Sequence, residues 1–432
     1  MRQVFDPIEH GTWTSAVVGL GYVGLPLVVT QAEAGIPVLG YDVSRETIDA
    51  LAQGRSHIDD VSDGELAAVK ELARFSADPA DLAAADVVFI CVPTPLAVGK
   101  QPDVAFIERA AEAIAGALRP GQLVVLESTT YPGTTSDVVQ PILERSGLKL
   151  DEDFLLAYAP ERVDPGNRSF GTANIPRVVG GVSADSTAAA EKAYGRFLAK
   201  VHPVRDARVA EMAKLLENTF RWVNIALVNE MASIARSIGV DIWEVIDAAR
   251  TKPFGFMAFY PGPGVGGHCI PLDPFYLQWA ARLTGEDARF IELAQVINAR
   301  MPQVVVSRLQ DALNDRALAL RGAKVLVLGV AYKPNVRDYR ESPSLEIIGL
   351  LQHAGAVVSY ADPHVPEVDD HGVRLDAVEA TPEAVRDADA VLILTDHDDV
   401  DYAAIAADAV LVLDTRNACR RRGVHSERVV VL

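Results

Sequence analysis

Cys269 lies in the part of the sequence whose residue types are best suited to chemistry. Residues 260–276 read YPGPGVGGHCIPLDPFY, and glycines and prolines dominate the stretch before the cysteine. Such a loop can bring backbone against a ligand and hold one side chain in a set direction. A thiolate there can attack an aldehyde, and a nearby cation would lower the pKa of the thiol. Most cysteines are inert and buried, so the prediction of a nucleophile depends on this loop.

The other cysteines and the histidines carry no comparable signal. Cys91 lies in an apolar run and Cys419 near a basic tail, and we interpret both as non-catalytic. A set of three cysteines is not a disulfide framework, which favours a cytoplasmic protein. His268 adjoins Cys269, but neighbouring residues of an extended segment point to opposite sides. The nine histidines form no HxH or HxxxH pair, so no metal site is predicted.

A second motif, GLGYVG, directly follows an apolar run typical of a strand. The first glycine permits a tight turn, the second lets backbone approach a pyrophosphate, and the third lets a helix pack on a strand. Asp42, about 20 residues further on, can hold both ribose hydroxyls and would repel a 2′-phosphate. NAD is therefore favoured, although Arg45 leaves an opening for NADP, and a turn without a ligand is the alternative. The cofactor prediction from this motif covers Gly19, Gly21, Tyr22, Val23, Gly24, Asp42 and Arg45.

Short apolar runs alternate with helical patterns in the first half of the chain and again in the last third. This alternation predicts βαβ units and parallel sheets. Strands are predicted at residues 13–19, 37–41, 86–92, 123–126, 154–157, 324–329, 357–360, 390–394 and 410–413. Helices are predicted at residues 24–34, 242–249 and 344–354.

The middle of the chain contains a long helical pattern. Residues 207–238 include no proline or glycine, and apolar residues recur at helical spacing. This predicts one long amphipathic helix of the kind that links domains and pairs subunits; a buried core helix of one subunit is the alternative. The apolar positions are Met212, Leu215, Leu216, Phe220, Val223, Leu227 and Met231.

Composition limits the class of protein. Hydrophobic residues make up 49% and charged residues 23% of 432 residues, as in globular enzymes of two or three domains. The net charge of −19 argues against a nucleic-acid partner, which needs a basic surface. No run of about 18 apolar residues occurs, so we expect neither a membrane span nor a signal peptide.

The order of GLGYVGLP, Lys214–Asn218, the Cys269 loop and Arg340 in RESP resembles that of the UDP-sugar 6-dehydrogenase family. The resemblance covers nearly the whole chain. Within the family, FYPGPGVGGHCIPLDPFYL is most similar to UDP-N-acetylglucosamine 6-dehydrogenases, and UDP-N-acetylmannosamine dehydrogenases carry a related GHCI segment. UDP-glucose dehydrogenases usually have lysine where this chain has Leu272.

The resemblance implies an α/β fold of two Rossmann-like doubly wound domains joined by a long central helix. The implied domains are an NAD-binding domain at 1–200, a central helical dimerisation domain with the cysteine loop at 201–305, and a UDP-sugar-binding domain at 306–432. It further implies NAD as cofactor, a UDP-sugar as substrate, a role in polysaccharide biosynthesis, and a homodimer or higher homo-oligomer formed through the central helix.

The implied reaction consists of two oxidations at C6 of the sugar. The first gives an aldehyde, which Cys269 captures as a thiohemiacetal. The second gives a thioester, which water hydrolyses, so that two NAD⁺ are consumed. UDP-N-acetylglucosamine is the leading substrate, with the UDP-N-acetylmannosamine and UDP-glucose enzymes as alternatives.

The resemblance also implies catalytic roles. Lys214 and Asn218 lie four residues apart, hence on one helix face, where they can hold the C6 oxygen and its developing charge. A solvated helix charge is the alternative for Lys214. Asp273 matches an aspartate that positions a water or the lysine. Glu161, in APERVDPG, matches a proposed general base for thioester hydrolysis, which would work best with a raised pKa.

Other matched positions concern binding. Thr129 matches a hydroxyl near the nicotinamide and belongs to both the implied catalytic group and the cofactor group, with a turn hydroxyl as the alternative. Arg340 matches an arginine at the cofactor or diphosphate, and Pro93 and Thr94 complete the cofactor group. UDP-glucose dehydrogenases carry a second glutamate where this chain has Pro165, which fits a different C2 substituent. The implied substrate group is Glu161, Arg162, Val163, Lys214, Asn218, Phe259, Tyr260, Gly266, Gly267, Tyr332 and Lys333.

Two other classes share some of these features. A two-electron hydroxyacid or 6-phosphogluconate-type dehydrogenase has the NAD domain and the long helix but needs no cysteine. A non-catalytic nucleotide-binding protein would have no use for Lys214, Asn218, Cys269 and Asp273 together.

Overall fold

The computed structural model describes residues 5–58, 60–97, 99–162, 174–267 and 269–432. The chain forms two compact units. The first comprises Met1–Glu217 and Phe275–Glu286, and the second comprises Asn218–Pro274 and Asp287–Leu432.

The first unit contains an eight-stranded sheet in the order β10-β9-β8-β7-β4-β1-β2-β3. All pairs are parallel except β8 with β9, so β9 and β10 run against the other six strands. Its strands, with a short β5–β6 ribbon, are β1 Ser15–Val18, β2 Val38–Tyr41, β3 Ala73–Ser76, β4 Val87–Ile90, β5 Leu96–Ala97, β6 Gln101–Pro102, β7 Leu123–Leu126, β8 Leu155–Tyr158, β9 Arg177–Gly181 and β10 Val201–Pro203.

Helices cover both faces of this sheet, which is why its central strands are apolar on both sides. Val17 and Phe89 belong to one buried cluster, whereas the next residues, Val18 and Ile90, belong to another. The helices up to the middle of the chain are α1 Asp6–His10, α2 Gly24–Glu33, α3 Arg45–Ala52, α4 Asp63–Val69, α5 Ala105–Ala117, α6 Gln140–Glu144, α7 Ala184–Gly195, α8 Ala207–Ser237, α9 Ile242–Ala249, α10 Asp273–Leu283 and α11 Arg289–Asn314.

The second unit contains a five-stranded parallel sheet in the order β12-β11-β15-β16-β17. Alternate residues again enter two cores, as Val327 and Leu328 show. The remaining elements are β11 Lys324–Leu328, α12 Pro343–His353, β12 Val357–Ala361, β13 Glu367–Asp370, β14 Val373–Asp376, α13 Pro382–Asp387, β15 Ala390–Ile393, α14 Tyr402–Asp408, β16 Val412–Asp414, α15 Ala418–Arg421 and β17 Val429–Val431.

The predicted fold class is confirmed: two α/β arrangements with mainly parallel sheets are joined along the chain by a long central helix. Most predicted strands are one to three residues longer than the observed ones, because runs of apolar residues continue past the last ladder hydrogen bond. The sequence patterns did not predict β9, although it carries the buried Arg177.

Helix α8 ends at Ser237, one residue before the predicted end. Leu216 is 58% and Leu227 is 52% exposed, whereas Leu215 is fully buried. The alternative of a helix buried all round within one subunit is therefore wrong. Within the described part of the chain, no helix is long and apolar enough to cross a membrane.

Candidate active site

The glycine turn after β1 has open space at the position where a ligand is expected. Gly19 has a φ of 91°, and a Cβ on Gly24 would lie 1.8 Å from the carbonyl oxygen of Gly19. A Cβ on Gly21 would meet no heavy atom within 4 Å. Contacts within the protein therefore explain Gly19 and Gly24 but not Gly21, and the approach of a pyrophosphate to the backbone would account for Gly21.

Helix α2 presents its N-terminus directly after this turn. Tyr22 and Val23 precede the helix, and no described side chain caps its first turn. Uncapped amide N–H groups at a helix N-terminus bind phosphate well. The residues present therefore fit the diphosphate of a dinucleotide.

Asp42 follows β2 beside the turn. Its Oδ2 accepts a hydrogen bond from the amide of Leu20 at 3.0 Å, and its Oδ1 accepts one from the amide of Ser44 at 2.9 Å. These bonds hold the carboxylate in place, and each oxygen retains a second lone pair for a hydroxyl donor. Arg45 begins the next helix, α3.

The other predicted cofactor residues of the first unit follow β4 and β7. The chain order of the sheet reverses between β1 and β4, and ligands of doubly wound sheets bind at such a point, beyond the carboxyl ends of the strands. Pro93 and Thr94 follow β4, and Thr129 follows β7. The hydroxyl of Tyr276 donates to the carbonyl oxygen of Thr94 at 2.5 Å.

Glu161 follows β8 and is held from several sides. Its carboxylate accepts hydrogen bonds from the guanidinium of Arg177 and, at 2.6 Å, from the amide of Arg162. The ammonium of Lys214 donates to the carbonyl oxygen of Glu161 at 2.5 Å. The predicted base and the predicted lysine therefore meet in the first unit. Lys214 is 7% exposed, so the alternative of a solvated helix charge is wrong.

Arg177 connects Glu161 to a second carboxylate that the sequence patterns did not predict. It donates to Glu127 at 3.1 Å, and the hydroxyl of Tyr194 also donates to Glu127. Burial raises the pKa of Glu127 to about 7, against the lowering effect of Arg177. Burial alone would lower the pKa of Arg177, but Glu161 and Glu127 raise it above its usual value. The signal available in the sequence was a charged residue beside each of two apolar runs, with Glu127 after one run and Arg177 before the other.

Arg162 is engaged within the first unit. Its Nε and a terminal nitrogen donate to the carboxylate of Glu217 on α8 at 3.1 and 2.5 Å, and it also donates to the carbonyl oxygen of Pro176 at 2.8 Å. Its contact with the sugar stays a prediction. Val163 lies outside the described residues, as does His268.

In the second unit, Cys269 is exposed at the turn that leads into α10. Its carbonyl oxygen accepts hydrogen bonds from the amides of Leu272 at 3.1 Å and of Asp273 at 2.9 Å. Cys91 and Cys419 are both buried. The exposed thiol is thus the one that the loop composition indicated.

Asn218 and Asp273 form a buried pair. The side-chain amide of Asn218 donates to the carboxylate of Asp273, and both side chains are almost completely removed from solvent. This contact joins the predicted C6-oxygen ligand to the predicted positioning aspartate. Because α10 begins at Asp273, the pair also anchors the turn that carries Cys269.

The glycines before Cys269 let the loop pack tightly on Tyr332. A Cβ on Gly266 would lie 2.9 Å from the Cβ of Tyr332, and a Cβ on Gly267 would lie 2.8 Å from its ring. Any side chain at either position would displace the loop from the tyrosine. The structure therefore brings the predicted nucleophile loop and a predicted substrate-binding residue together.

The segment between β11 and α12 carries Tyr332, Lys333 and Arg340. The amide of Tyr332 donates to the carbonyl oxygen of Asp338 at 3.0 Å. Arg340 forms two hydrogen bonds with the carboxylate of Asp338, at 2.9 and 2.8 Å. This pair closes the segment on itself and gives Asp338 a structural role. The contact of Arg340 with a cofactor or diphosphate stays a prediction.

Two aromatic residues of the loop pack on helices of the second unit. Phe259 lies edge-on to Phe220 of α8, with ring centres 5.7 Å apart. Tyr260 stacks on Trp243 of α9, with ring centres 5.6 Å apart. Both contacts fix the start of the cysteine loop.

Arg416 is a second cation that the sequence patterns did not single out. It follows β16, and its Nε donates to the carbonyl oxygen of Leu394 at 2.8 Å. A Cβ on Gly262 would lie 2.7 Å from a terminal nitrogen of this guanidinium. Burial lowers the pKa of Arg416, while Asp396 and Asp414 oppose that shift. The cysteine loop is thus bordered by a partly buried positive charge suited to an anionic group.

Family models match the chain in three parts. The models of the UDP-glucose/GDP-mannose dehydrogenase family match as the NAD binding domain at residues 14–198, the central domain at residues 208–300 and the UDP binding domain at residues 326–421.

In the described part of the chain, no three His, Cys, Asp or Glu side chains are grouped to hold a metal ion.

Curated relatives and solved structures agree with these matches. The UDP-N-acetyl-D-mannosamine dehydrogenase of Pyrococcus horikoshii is 38% identical over 410 residues, covering 93% of this chain and 95% of that protein. The UDP-N-acetyl-D-glucosamine 6-dehydrogenase of Pseudomonas aeruginosa is 38% identical over 356 residues, covering 82% of this chain and 83% of that protein. A solved structure of the P. horikoshii UDP-D-ManNAc dehydrogenase matches with a TM-score of 0.87 and 36% identity, covering 97% of this chain and 98% of that one.

The fold and the nucleotide turn define an NAD-dependent oxidoreductase. The chain belongs to the UDP-glucose/GDP-mannose dehydrogenase family. The family resemblance that the motifs suggested is therefore confirmed.

Proposed function

We propose that this protein oxidises C6 of a UDP-N-acetylhexosamine to the carboxylate by removing four electrons through a thioester on Cys269. The observation that supports the proposal most directly is the exposure of Cys269 in a glycine loop that packs on Tyr332. Both other thiols are buried. A two-electron dehydrogenase would have no need of an exposed thiol in such a loop.

Two sugars are supported equally as substrates. The relatives include a UDP-N-acetyl-D-mannosamine dehydrogenase and a UDP-N-acetyl-D-glucosamine 6-dehydrogenase at the same 38% identity. The sequence segment FYPGPGVGGHCIPLDPFYL resembled the second of these. Assays of NADH formation with the UDP forms of N-acetylglucosamine, N-acetylmannosamine, N-acetylgalactosamine and glucose would decide between them. The strongest signal is expected from one of the first two.

The residues of the chain divide the work between binding and proton transfer. The turn of Gly19, Gly21 and Gly24 and the carboxylate of Asp42 would hold NAD⁺, which accepts a hydride at each oxidation when bound. Lys214 and Asn218 would stabilise negative charge on the C6 oxygen. Asp273, hydrogen-bonded to Asn218, would orient that amide.

Cys269 makes and breaks the covalent bond. Its thiolate adds to C6 of the aldehyde, and the resulting oxyanion takes up a proton to form a thiohemiacetal. The second oxidation leaves a thioester. Water then adds to the thioester carbon, a proton passes from this water to Glu161, and the C–S bond breaks to restore the thiolate. In total, one alcohol, two NAD⁺ and one water give one carboxylate, two NADH and three protons.

We also propose that two copies of the chain associate through α8, in the cytoplasm. The exposed apolar stripe of α8 includes Met212, Leu216, Phe220, Leu227 and Met231. Isolated exposed apolar residues are common, but a stripe along a whole helix is typical of an interface. Closed two-fold pairing would bury the same stripe on both copies.

The thioester is tested by stoichiometry. Wild-type protein should form two NADH for each UDP-sugar converted to the carboxylate. Cys269→Ala should lose carboxylate formation by at least about a thousandfold, because no acyl adduct can form. Cys419→Ala, which removes a buried thiol, is the matched control and should retain the product ratio. One NADH per sugar with release of an aldehyde, or full carboxylate formation by Cys269→Ala, would contradict the proposal.

A further inference from the structure

Beneath Glu161, the first unit contains a buried ionic group to which the reaction above assigns no task. Arg177 on β9 is 2% exposed and Glu127 is 1% exposed, yet both are charged residue types. Arg177 bridges Glu127 and Glu161, and the side chain of Glu161 is 16% exposed. Glu161 is therefore the end of this group that water or a ligand can reach.

The contacts fix the direction of Glu161 as well as its charge environment. Arg177 donates to the carbonyl oxygen of Pro160 at 3.2 Å, so one guanidinium holds both the side chain of Glu161 and the backbone before it. Tyr194 on α7 donates to the other oxygen of Glu127. Glu127 consequently cannot turn away from Arg177 without breaking a second hydrogen bond.

Stability alone is a weak explanation for such a group. Burying charges costs desolvation free energy, and replacing a buried ion pair by apolar residues is often neutral or stabilising. Orientation of the one accessible carboxylate is a function that apolar residues cannot supply. A general base works only when its oxygen lies within hydrogen-bond reach of the proton that it removes.

We propose that Arg177, locked by Glu127 and Tyr194, is the positioning residue that aims the Glu161 carboxylate at the water attacking the thioester. The inference rests on the proposed function, because it concerns the hydrolysis step. It adds three residues on β9, α7 and the end of β7 to the determinants of that step. None of the three needs to touch the sugar or the cofactor.

The charges around Glu127 give the device a pH signature. The groups that face it are Arg177, Glu161, Tyr194 and Cys91, and burial raises the pKa of the thiol and of the phenol well above their usual values. Glu127, with a pKa of about 7, changes charge near neutral pH. Protonation of Glu127 would remove one of the negative charges that Arg177 faces, which would strengthen its pairing with Glu161.

The test measures thioester hydrolysis separately from sugar oxidation in the Arg177→Lys variant. A lysine keeps the charge but cannot bridge two carboxylates and a carbonyl in one plane. Rapid mixing with UDP-sugar and NAD⁺ should give a burst of two NADH per subunit, followed by a steady rate at least tenfold below wild type. Intact-protein mass spectrometry should show the acyl adduct on Cys269, and KM for the sugar should change less than threefold.

Arg119→Lys is the matched control. Arg119 also binds a carboxylate, Asp86 at 2.8 Å, and the carbonyl oxygens of Ala83 and Ala85 at 2.7 and 3.0 Å, near the amino ends of β4 and β7. This variant should hydrolyse the thioester at the wild-type rate. If Arg177→Lys fails to fold, Glu127→Gln and Tyr194→Phe provide the same test, with smaller adduct accumulation. In Glu127→Gln, the hydrolysis rate should also lose the change near pH 7 that ionisation of Glu127 causes in the wild type.

The outcomes are distinguishable. Hydrolysis within twofold of wild type in the folded Arg177, Glu127 and Tyr194 variants would overturn the positioning role while leaving the thioester intact. A wild-type protein that forms one NADH per sugar and no adduct would overturn the proposed function itself.

Discussion

At the scale of single residues, the three glycines of one turn satisfy different constraints. Gly24 is demanded by the carbonyl oxygen of Gly19, which a Cβ would contact at 1.8 Å. Gly21 has no protein atom near its missing side chain. The fold therefore requires Gly19 and Gly24, whereas Gly21 leaves space for a ligand.

Gly21→Ala should separate binding from folding. The added methyl group meets no protein atom, so the thermal midpoint should stay within about 2 °C of wild type. It would fill the space where backbone approaches the pyrophosphate, so the KM for NAD⁺ should rise about tenfold or more. Steady-state kinetics and a thermal melt check both expectations.

Gly24→Ala is the contrasting variant. Its Cβ would collide with backbone, and the strain should cost about 1–3 kcal/mol of stability or more. An unchanged KM in Gly21→Ala, or an unchanged melt in Gly24→Ala, would contradict this division of roles.

At the scale of elements, α8 is tied to the segment after β7 by one buried carboxylate. Glu211 accepts hydrogen bonds from the amide of Gly133 at 2.6 Å, the amide of Thr135 at 2.9 Å and the hydroxyl of Thr135 at 2.7 Å. Burial raises the pKa of Glu211 to about 7, and these hydrogen bonds oppose the shift. The segment that follows Thr129 is thus anchored to the same helix that carries Lys214.

The raised pKa predicts a pH dependence of stability. The pKa of Glu211 is about 7 in the folded protein against an ordinary value of 4.5, so the folded state retains a proton that the unfolded state loses. The contribution of protonated Glu211 to the free energy of unfolding is fully present below about pH 4.5. It is lost as the pH rises through 7, and the loss amounts to roughly 3 kcal/mol at most.

Urea unfolding of wild type and Glu211→Gln between pH 5 and pH 8 measures this contribution. The glutamine cannot ionise, so the fall in unfolding free energy across that range should be smaller in the variant. Parallel pH profiles for the two proteins would contradict the assignment.

At the scale of the molecule, the two parallel sheets use the same position differently. Asp42 after β2 accepts two backbone amides, whereas Asp362 after β12 accepts four and also contacts His397 at 3.1 Å. Both oxygens of the Asp362 carboxylate are thus occupied by hydrogen bonds from its own unit. The second sheet therefore keeps the Rossmann-like order without the means to bind a ribose in the same way.

The proposed assembly through α8 predicts the behaviour of Leu227→Asp. A carboxylate in the apolar stripe would be desolvated on pairing, so the variant should run at the 46.4 kDa of one chain and wild type at twice that mass. Light scattering after size-exclusion chromatography gives both masses. Val357→Asp, at an exposed apolar position of β12, is the control and should leave the mass unchanged. A monomeric wild type would refute pairing through α8.

Local patterns were sufficient to predict much of this protein. The helix of residues 207–238, the glycine turn with Asp42 and the choice of Cys269 as candidate nucleophile all follow from patterns within short segments, because helical period and turn geometry are local properties. Local periodicity cannot show that Arg177 and Glu127 meet, because they lie 50 positions apart and join only when β7 and β9 enter one sheet.

The sequence by itself determined the class of fold and the cofactor turn, and it singled out Cys269, the exposed one of the three thiols. Only the tertiary structure decided that Arg177 and Lys214 both hold the segment after β8 that carries Glu161, that Arg416 borders the cysteine loop, and that one face of α8 stays exposed. The physical reason is that burial and ion pairing depend on long-range contacts. The charge of a residue is readable in sequence, but its partners are chosen by the packing of distant elements.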